Sequence, residues 1–348
     1  MLVVLSHYTN DEHELEARIA NARAELFVQP APKASADPLP TDIRSRADAI
    51  AHYDSNVDVD GRPDDYPRCR IVVKCGVGFD RIDIAGWGRL GVAVCNVPDY
   101  GTSEVADHAI ALLLALARGT ATYHDALRRD PSRAWDHAIA PAVRRLRGAT
   151  FGIIGLGRIG LATAMRARGF GMHIAFYDPY VPAGVEIAVD AQRCKTVRDL
   201  MAMSDVVSLH TPSTAATRGL INGETLASAK HGMILINTAR GPIVDLDALQ
   251  AAMKSGQVAA AGLDVLPVEP ADPSHPLIAA WMAREPWLDG RLTLSPHAAF
   301  YSPDGMVDLR TKCVETAIAY LETGSLINCV NRDLLDEGRR IARLPRQI

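Results

Sequence analysis

Along most of this chain, short apolar runs alternate with stretches of helical periodicity, a pattern that predicts an α/β fold with parallel sheets. Leu2–Leu5, Leu26–Val28, Ala49–Ala51, Ile71–Lys74 and Val92–Cys95 read as strands of an N-terminal unit. A second series runs Phe151–Ile154, His173–Tyr177, Val206–Leu209, Met233–Ile236, Ala259–Leu263 and Leu292–Leu294. Six strands in that block suit a doubly wound sheet of two mononucleotide-binding halves. The Pro- and Ala-rich stretch Gln29–Pro40 and the polar stretch Asp54–Arg68 read as surface loops. Thr102 or Ser103 is placed to cap a helix over Glu104–Arg118, whose centre is apolar on nearly every side. That predicts burial on both faces, with a second subunit as one possible cover. A further helix, Val307–Glu322, ends near Gly324 and leaves open a crossing back to the N-terminal domain.

A length of 348 residues suits two domains, each able to bury its own core. The 37 basic and 41 acidic residues leave a net charge of −4, with no long basic run to suggest nucleic acid or a membrane surface. The six cysteines, at 69, 75, 95, 194, 313 and 329, form no CxxC pair and no metal-ligand spacing, so they are expected to be scattered reduced thiols with no metal. Met1–Glu16 lacks the basic start and apolar core of a signal peptide. The apolar run Ala109–Ala117 is far short of a membrane span. The expectation is a soluble cytoplasmic protein.

One stretch narrows the function. The strand Phe151–Ile154 runs into Gly155-Leu156-Gly157-Arg158-Ile159-Gly160, then an Ala-rich helical segment, then the strand His173–Tyr177, which stops at Asp178. Strand, glycine turn, helix, strand and acid come in the order a dinucleotide site requires. Gly155 permits the tight turn, Gly157 lets backbone approach a pyrophosphate, and Gly160 lets the helix pack on the strand. The helix N-terminus offers free N–H groups to phosphates. Asp178, 18 residues past Gly160, is placed to accept from a ribose 2′-hydroxyl, which favours NAD over NADP.

Three further segments end strands of the same block. Arg240 follows one within Ile236–Gly241, Asp264 and Glu269 follow another within Leu263–Pro270, and His297 follows the last within Leu294–Ala299. Carboxyl ends of strands in an open α/β sheet border the ligand crevice, so the three can converge. Each also has a plain structural reading. Arg240 could solvate a loop, Glu269 could be a turn acid before Pro270, and His297 could be an ordinary hydrogen-bonding residue. As a set they are equipment for hydride transfer on a 2-oxo or 2-hydroxy acid: arginine binds a carboxylate through its planar fork, and histidine moves the hydroxyl proton with a carboxylate behind it.

Over roughly residues 70–330 the chain resembles the D-isomer-specific 2-hydroxyacid dehydrogenases, most closely the branches of the C-terminal-binding proteins and phosphoglycerate dehydrogenases. The resemblance is carried by Lys74–Asp80, Asn96–Tyr100 with Glu104–His108, Gly155–Gly160 with Asp178, Asn237–Gly241, Asp264–Pro270 and Ser295–Ala299. It implies two Rossmann-like domains separated by a cleft, an outer substrate-binding domain of 1–102 plus 299–348, and an NAD-binding domain of 103–298. A homodimer is implied too. Arg240, Glu269 and His297 would be catalytic. NAD would meet Gly155, Gly157, Arg158, Ile159, Gly160, Asp178, Thr211, Pro212, Ala239, Asp264 and His297, with Asp264 on the nicotinamide carboxamide. The substrate would meet Lys74, Cys75, Gly76, Val77, Gly78, Tyr100, Arg240 and Phe300.

The chain also departs from that pattern. Lys74 stands where the C-terminal-binding branch commonly has Arg, and Phe300 where it has Trp. His297 comes 28 positions after Glu269, a longer interval than the family usually needs, and the extra residues include Trp281, Arg284 and Trp287. Two functions fit. One is an NAD-dependent dehydrogenase acting on a small 2-oxo acid. The other, following the C-terminal-binding proteins, is an NAD(H)-regulated interaction protein with weak or no dehydrogenase activity.

Overall fold

The computed structural model describes residues 1–9, 12–31, 38–53 and 58–335. They fall into two compact units, residues 1–101 with the chain from 302 onward, and residues 102–301. Parts of the two expected surface loops, and the end of the chain from residue 336, lie outside the described residues.

The first unit is built on five parallel strands: β1 (Leu2–Tyr8), β2 (Glu25–Pro30), β3 (Ala49–His52), β4 (Ile71–Lys74) and β5 (Ala93–Asn96). Their order is β2-β1-β3-β4-β5. β1, β3, β4 and β5 are buried at every position, which is why they read as unbroken apolar runs without alternation. The helix Pro303–Thr323 packs on β3, β4 and the helix Glu14–Ala20 of this unit. Ser302 Oγ caps it by accepting from Gly305 N, and Gly324 ends it in the left-handed region at φ 75°. An ion pair fastens it. Arg310 donates to both oxygens of the fully buried Glu16 at 2.8 and 2.7 Å, and also to Tyr8 Oη.

The same helix overturns the expectation of six free thiols. It carries Cys313 to the end of β4, where a disulfide joins it to Cys75 with Cα atoms 5.6 Å apart. The partners are 238 residues apart in sequence, so no local spacing announces the pair. Cys69, Cys95, Cys194 and Cys329 are not disulfide-bonded.

The second unit has seven parallel strands: β6 (Thr150–Ile154), β7 (His173–Tyr177), β8 (Gln192–Arg193), β9 (Val206–Leu209), β10 (Met233–Asn237), β11 (Val258–Leu263) and β12 (Leu292–Leu294). The order β12-β11-β10-β9-β6-β7-β8 is doubly wound, and its direction reverses between the neighbours β6 and β9. That reversal opens a crevice at the carboxyl ends of the strands. Both units are thus the doubly wound α/β layers that the alternation predicted, with β8 added at one edge.

The helix Thr102–Ala117 packs on β10, β11 and the helix Arg158–Gly169 within this unit. At Gly262 on β11 a Cβ would come within 2.9 Å of Leu112 Cβ, so glycine lets the helix lie close on the sheet. Its burial is wide but not complete, because Ser103, Asp107 and Ala111 form an exposed stripe. Among the described residues no single helix is long and apolar enough to cross a membrane. The two helices Thr102–Ala117 and Thr120–Arg129 pass that test of length and composition only together, across a 57° bend.

Candidate active site

The glycine turn after β6 is shaped by contact with β9. Gly155 sits at φ 93°, and a Cβ on it would lie 2.7 Å from the His210 carbonyl oxygen. A Cβ on Gly160 would run into the Gly155 carbonyl, which lets the helix Arg158–Gly169 start close against the strand. Gly157, by contrast, faces open space. It precedes a helix with no side chain capping its N-terminus, so the first N–H groups are left for an anion. Arg158 is exposed and Ile159 half-buried beside it. Asp178 closes the turn from β7: its Oδ2 accepts from Leu156 N at 2.8 Å and its Oδ1 from Tyr180 N at 2.8 Å.

Across the reversal, Thr211 Oγ1 and Ser213 Oγ after β9 and Thr238 Oγ1 after β10 are buried without a hydrogen-bond partner among the described residues. Buried hydroxyls normally find partners, so three orphans at this crevice fit a polar ligand with hydroxyls and amides. A dinucleotide has that chemistry. Pro212 lies between two of these positions and is exposed, while Ala239 follows the third and is half-buried.

The three segments named from sequence come together at the ends of β10, β11 and β12. Asn237 shapes the first, accepting from Ala239 N at 3.0 Å and donating to the Arg240 carbonyl at 3.0 Å. Gly241 lies so close to Leu266 that a Cβ would collide with its backbone, so the Arg240 and Glu269 loops are packed main chain to main chain. Glu269 Oε1 accepts from Leu266 N at 3.0 Å, and its Oε2 pairs with His297 Nδ1 at 2.7 Å. Burial pushes the Glu269 carboxyl up, but the hydrogen bonds from His297 and Leu266, aided by the charges of His297 and Arg240, outweigh it and hold the group below the ordinary carboxylate range.

His297 itself sits in the left-handed region at φ 53°, a conformation costly for a side chain with a Cβ. Asp264 holds it there. This carboxylate, with its side chain 1% exposed, accepts from Ser295 Oγ (2.6 Å), Ala298 N (2.9 Å) and Ala299 N (3.0 Å), while His297 N donates to the Asp264 carbonyl at 2.8 Å. The His297 side chain is 35% exposed, its Nδ1 faces Glu269, and the Phe300 ring lies edge-on with centroids 6.2 Å apart. His108 completes the brace, with Nε2 2.8 Å from Ser295 Oγ. Sequence reasoning had His108 only as part of a helix motif. A histidine nearly two turns inside a helix gives no sign of the strand end it will face.

The candidates Lys74, Cys75, Gly76, Val77, Gly78 and Tyr100 belong to the first unit. Lys74 is 3% exposed, and its ammonium donates to the carbonyls of Tyr53 (3.0 Å), Cys75 (3.0 Å) and His52 (3.4 Å). The loop after it is held from β5, since Val97 N donates to the Gly76 carbonyl at 3.0 Å and Asn96 Nδ2 to the Val77 carbonyl at 2.7 Å. Tyr100 is buried.

Residues 110–299 match the family model of the D-isomer specific 2-hydroxyacid dehydrogenase, NAD binding domain. C-terminal-binding protein 1 of Caenorhabditis elegans is 33% identical over 272 residues, covering 76% of this chain and 36% of that protein. D-3-phosphoglycerate dehydrogenase of Mycobacterium leprae is 42% identical over 204 residues, covering 59% of this chain and 38% of that protein. The match therefore spans little more than a third of either curated relative's length. Among solved structures, D-lactate dehydrogenase of Aquifex aeolicus, complexed with NAD and lactic acid, superposes with a TM-score of 0.80 at 26% identity, covering 94% of this chain and 99% of that one.

Proposed function

Because the chain belongs to the D-isomer-specific 2-hydroxyacid dehydrogenases, with the NAD-binding domain of that family, we propose that it moves a hydride between a nicotinamide dinucleotide and a small 2-oxo or 2-hydroxy acid. The observation that carries the reading is the 2.7 Å pair of His297 Nδ1 with Glu269, on a loop packed against that of Arg240. Glu269 fixes the tautomer in which Nε2 is left to exchange a proton, and its negative charge supports the imidazolium. In the reductive direction protonated His297 gives that proton to the oxygen that becomes the hydroxyl. Arg240 binds the substrate carboxylate and stabilises charge on the same oxygen. When bound, the dinucleotide supplies the hydride, held by the Gly155–Gly160 turn, Asp178 and the hydroxyls of Thr211, Ser213 and Thr238.

Asp264, committed to the Ser295–Ala299 loop, positions His297 before anything else, with a carboxamide contact as its second role. Lys74, on the same grounds, builds the Gly76–Gly78 loop from beneath rather than reaching out as a mobile charge. The reading extends to a cytoplasmic homodimer. Trp135, 83% exposed on the second unit, is the kind of aromatic anchor a second copy covers, and sedimentation of the wild type against Trp135→Ala tests it.

The test of the activity is NADH oxidation against glyoxylate, hydroxypyruvate, pyruvate and branched and aromatic 2-oxo acids. Turnover with one or more of them is expected. NADH binding without turnover on any would favour the interaction-protein reading instead.

A further inference from the structure

Outside the candidate active site, the first unit holds a second pair of facing cysteines. Cys95, in β5, and Cys329, in the segment after the helix Pro303–Thr323, form an isolated antiparallel bridge. The hydrogen bonds around it define its type. Val330 N donates to the Val94 carbonyl at 2.8 Å and Asn96 N to the Asn328 carbonyl at 3.3 Å, so the bonds flank the two cysteines and do not join them. Cys95 and Cys329 are therefore a directly opposed, non-hydrogen-bonded pair. Such pairs bring their Cα atoms to about 4.5 Å and their side chains closest together. Disulfides need Cα separations of about 4.4–6.8 Å. The backbone register already meets that requirement, with no strand movement needed.

The register is also firmly held. Asn331 Oδ1 accepts from Val94 N at 2.8 Å, and Asn331 Nδ2 donates to the Val92 carbonyl at 3.1 Å and the Ile84 carbonyl at 3.2 Å. The segment is thus pinned on the strand edge just beyond the two sulfurs. The partners differ in access: Cys95 is fully buried, whereas Cys329 is half-buried and open to a small reagent.

We propose that Cys95 and Cys329 are a peroxide-reactive dithiol, with Cys329 as the attacking thiol and Cys95 as the one that closes the disulfide. The thiolate of Cys329 attacks one oxygen of hydrogen peroxide. An S–O bond forms, the O–O bond breaks, and the departing hydroxide takes up a proton as water, leaving Cys329 as a sulfenic acid. The Cys95 sulfur then attacks Cys329 Sγ. The S–S bond forms, the S–O bond breaks, and the leaving hydroxide carries off the Cys95 proton as a second water. Two thiols and one peroxide give one disulfide and two waters, and both electrons lost by sulfur are taken by the peroxide.

The electrostatics assign the roles in the same way. A hydrogen bond from the Cys95 thiol holds the Cys329 thiol below its ordinary range, helped by the Asn331 N–H and the charge of Arg332. That hydrogen bond to Cys329, together with burial, pushes Cys95 up. The nucleophile is thus the sulfur of the half-buried cysteine, and the fully buried one keeps its proton until the sulfenic acid forms. The consequence reaches the loop at Gly76–Gly78, because the residues after Cys95, Asn96 and Val97, hold the Val77 and Gly76 carbonyls.

The experiment uses the full chain, reduced, freed of reductant and treated with a small excess of hydrogen peroxide. Remaining thiols are then blocked and the protein is digested without reduction for mass spectrometry. The wild type is expected to yield a Cys95 peptide linked to a Cys329 peptide, lighter by about 2 Da than the two thiol peptides together. In Cys95→Ser the closing step is lost, so dimedone should trap sulfenic acid at Cys329 at a level about tenfold above the wild type. If Cys329 of the wild type stays a blockable thiol, or joins any cysteine other than Cys95, the proposal is overturned. It is also overturned if Cys95→Ser, with an unchanged circular dichroism spectrum, gives no dimedone adduct at Cys329.

Discussion

Replacing Glu269 by Gln removes one charge from the pair at the centre of the proposed site and one of its two hydrogen-bond acceptors. The amide oxygen can still accept from His297 Nδ1, which now lies 2.7 Å from Oε2, but the amide nitrogen cannot accept from Leu266 N as Oε1 does. Hydrogen bonds to charged groups contribute about 1.5–3 kcal/mol against about 1 for neutral ones. With side chains 35% and 26% exposed, solvent screening reduces the difference, leaving about 1–1.5 kcal/mol lost from the imidazolium state. Since 1.36 kcal/mol corresponds to one pH unit, the fall of reductive kcat/KM should move down in pH by about one unit, with turnover near neutrality reduced about tenfold. The assay is NADH oxidation with the best 2-oxo acid at pH 5 to 9. Stability gives a second readout. The Glu269 carboxyl lies below its ordinary value when folded, so its stabilisation is present above the unfolded value of about 4.3 and is lost as pH falls through the folded one. The gap in melting temperature between wild type and Glu269→Gln should therefore close on going from pH 7 to pH 3. A Glu269→Gln enzyme whose pH profile overlays that of the wild type would refute the assignment of the pair.

Three other outcomes follow from the same geometry. Asp178→Ala should narrow the preference for NADH over NADPH, read as the ratio of dissociation constants; a wild type that binds NADPH more tightly would contradict the role of this carboxylate. Arg240→Lys keeps the charge but loses the planar fork, so kcat/KM should fall about 10²-fold or more while NADH affinity stays within about twofold. Lys74→Met leaves buried carbonyls at Tyr53 and Cys75 without their donor and should cost about 2–4 kcal/mol in denaturant unfolding, whereas a solvated strand-end lysine would cost almost nothing.

The fold was legible where burial writes itself into composition. β4, β7, β9 and β12 have the bounds their apolar runs indicated, and β4 and β9 are buried at every position, as strands covered on both faces are. β8 was missed because Gln192–Arg193 is short, polar and at a sheet edge. The dinucleotide turn was legible because its glycines answer local backbone demands. What escaped depends on contacts between distant segments. Cys75 meets Cys313 only because a helix from the far end of the chain lies on β4, and the brace of His108, Ser295 and Asp264 joins a helix to two strand ends. That the ammonium of Lys74, a substrate-binding candidate, would be held by the Tyr53 and Cys75 carbonyls was not legible, since no sequence pattern reveals which carbonyls will surround an ammonium.

The most direct measurement on the central claim is the paired determination of turnover and NADH affinity in His297→Asn. The His297 side chain pairs with Glu269 and lies edge-on to Phe300, while its backbone N–H, which donates to the Asp264 carbonyl, is kept by the substitution, so the dinucleotide cradle should survive the change. Turnover is predicted to fall by about 10²–10⁴-fold, with the NADH dissociation constant within about twofold of the wild type. Turnover equal to that of the wild type would remove His297 from the chemistry and contradict the account.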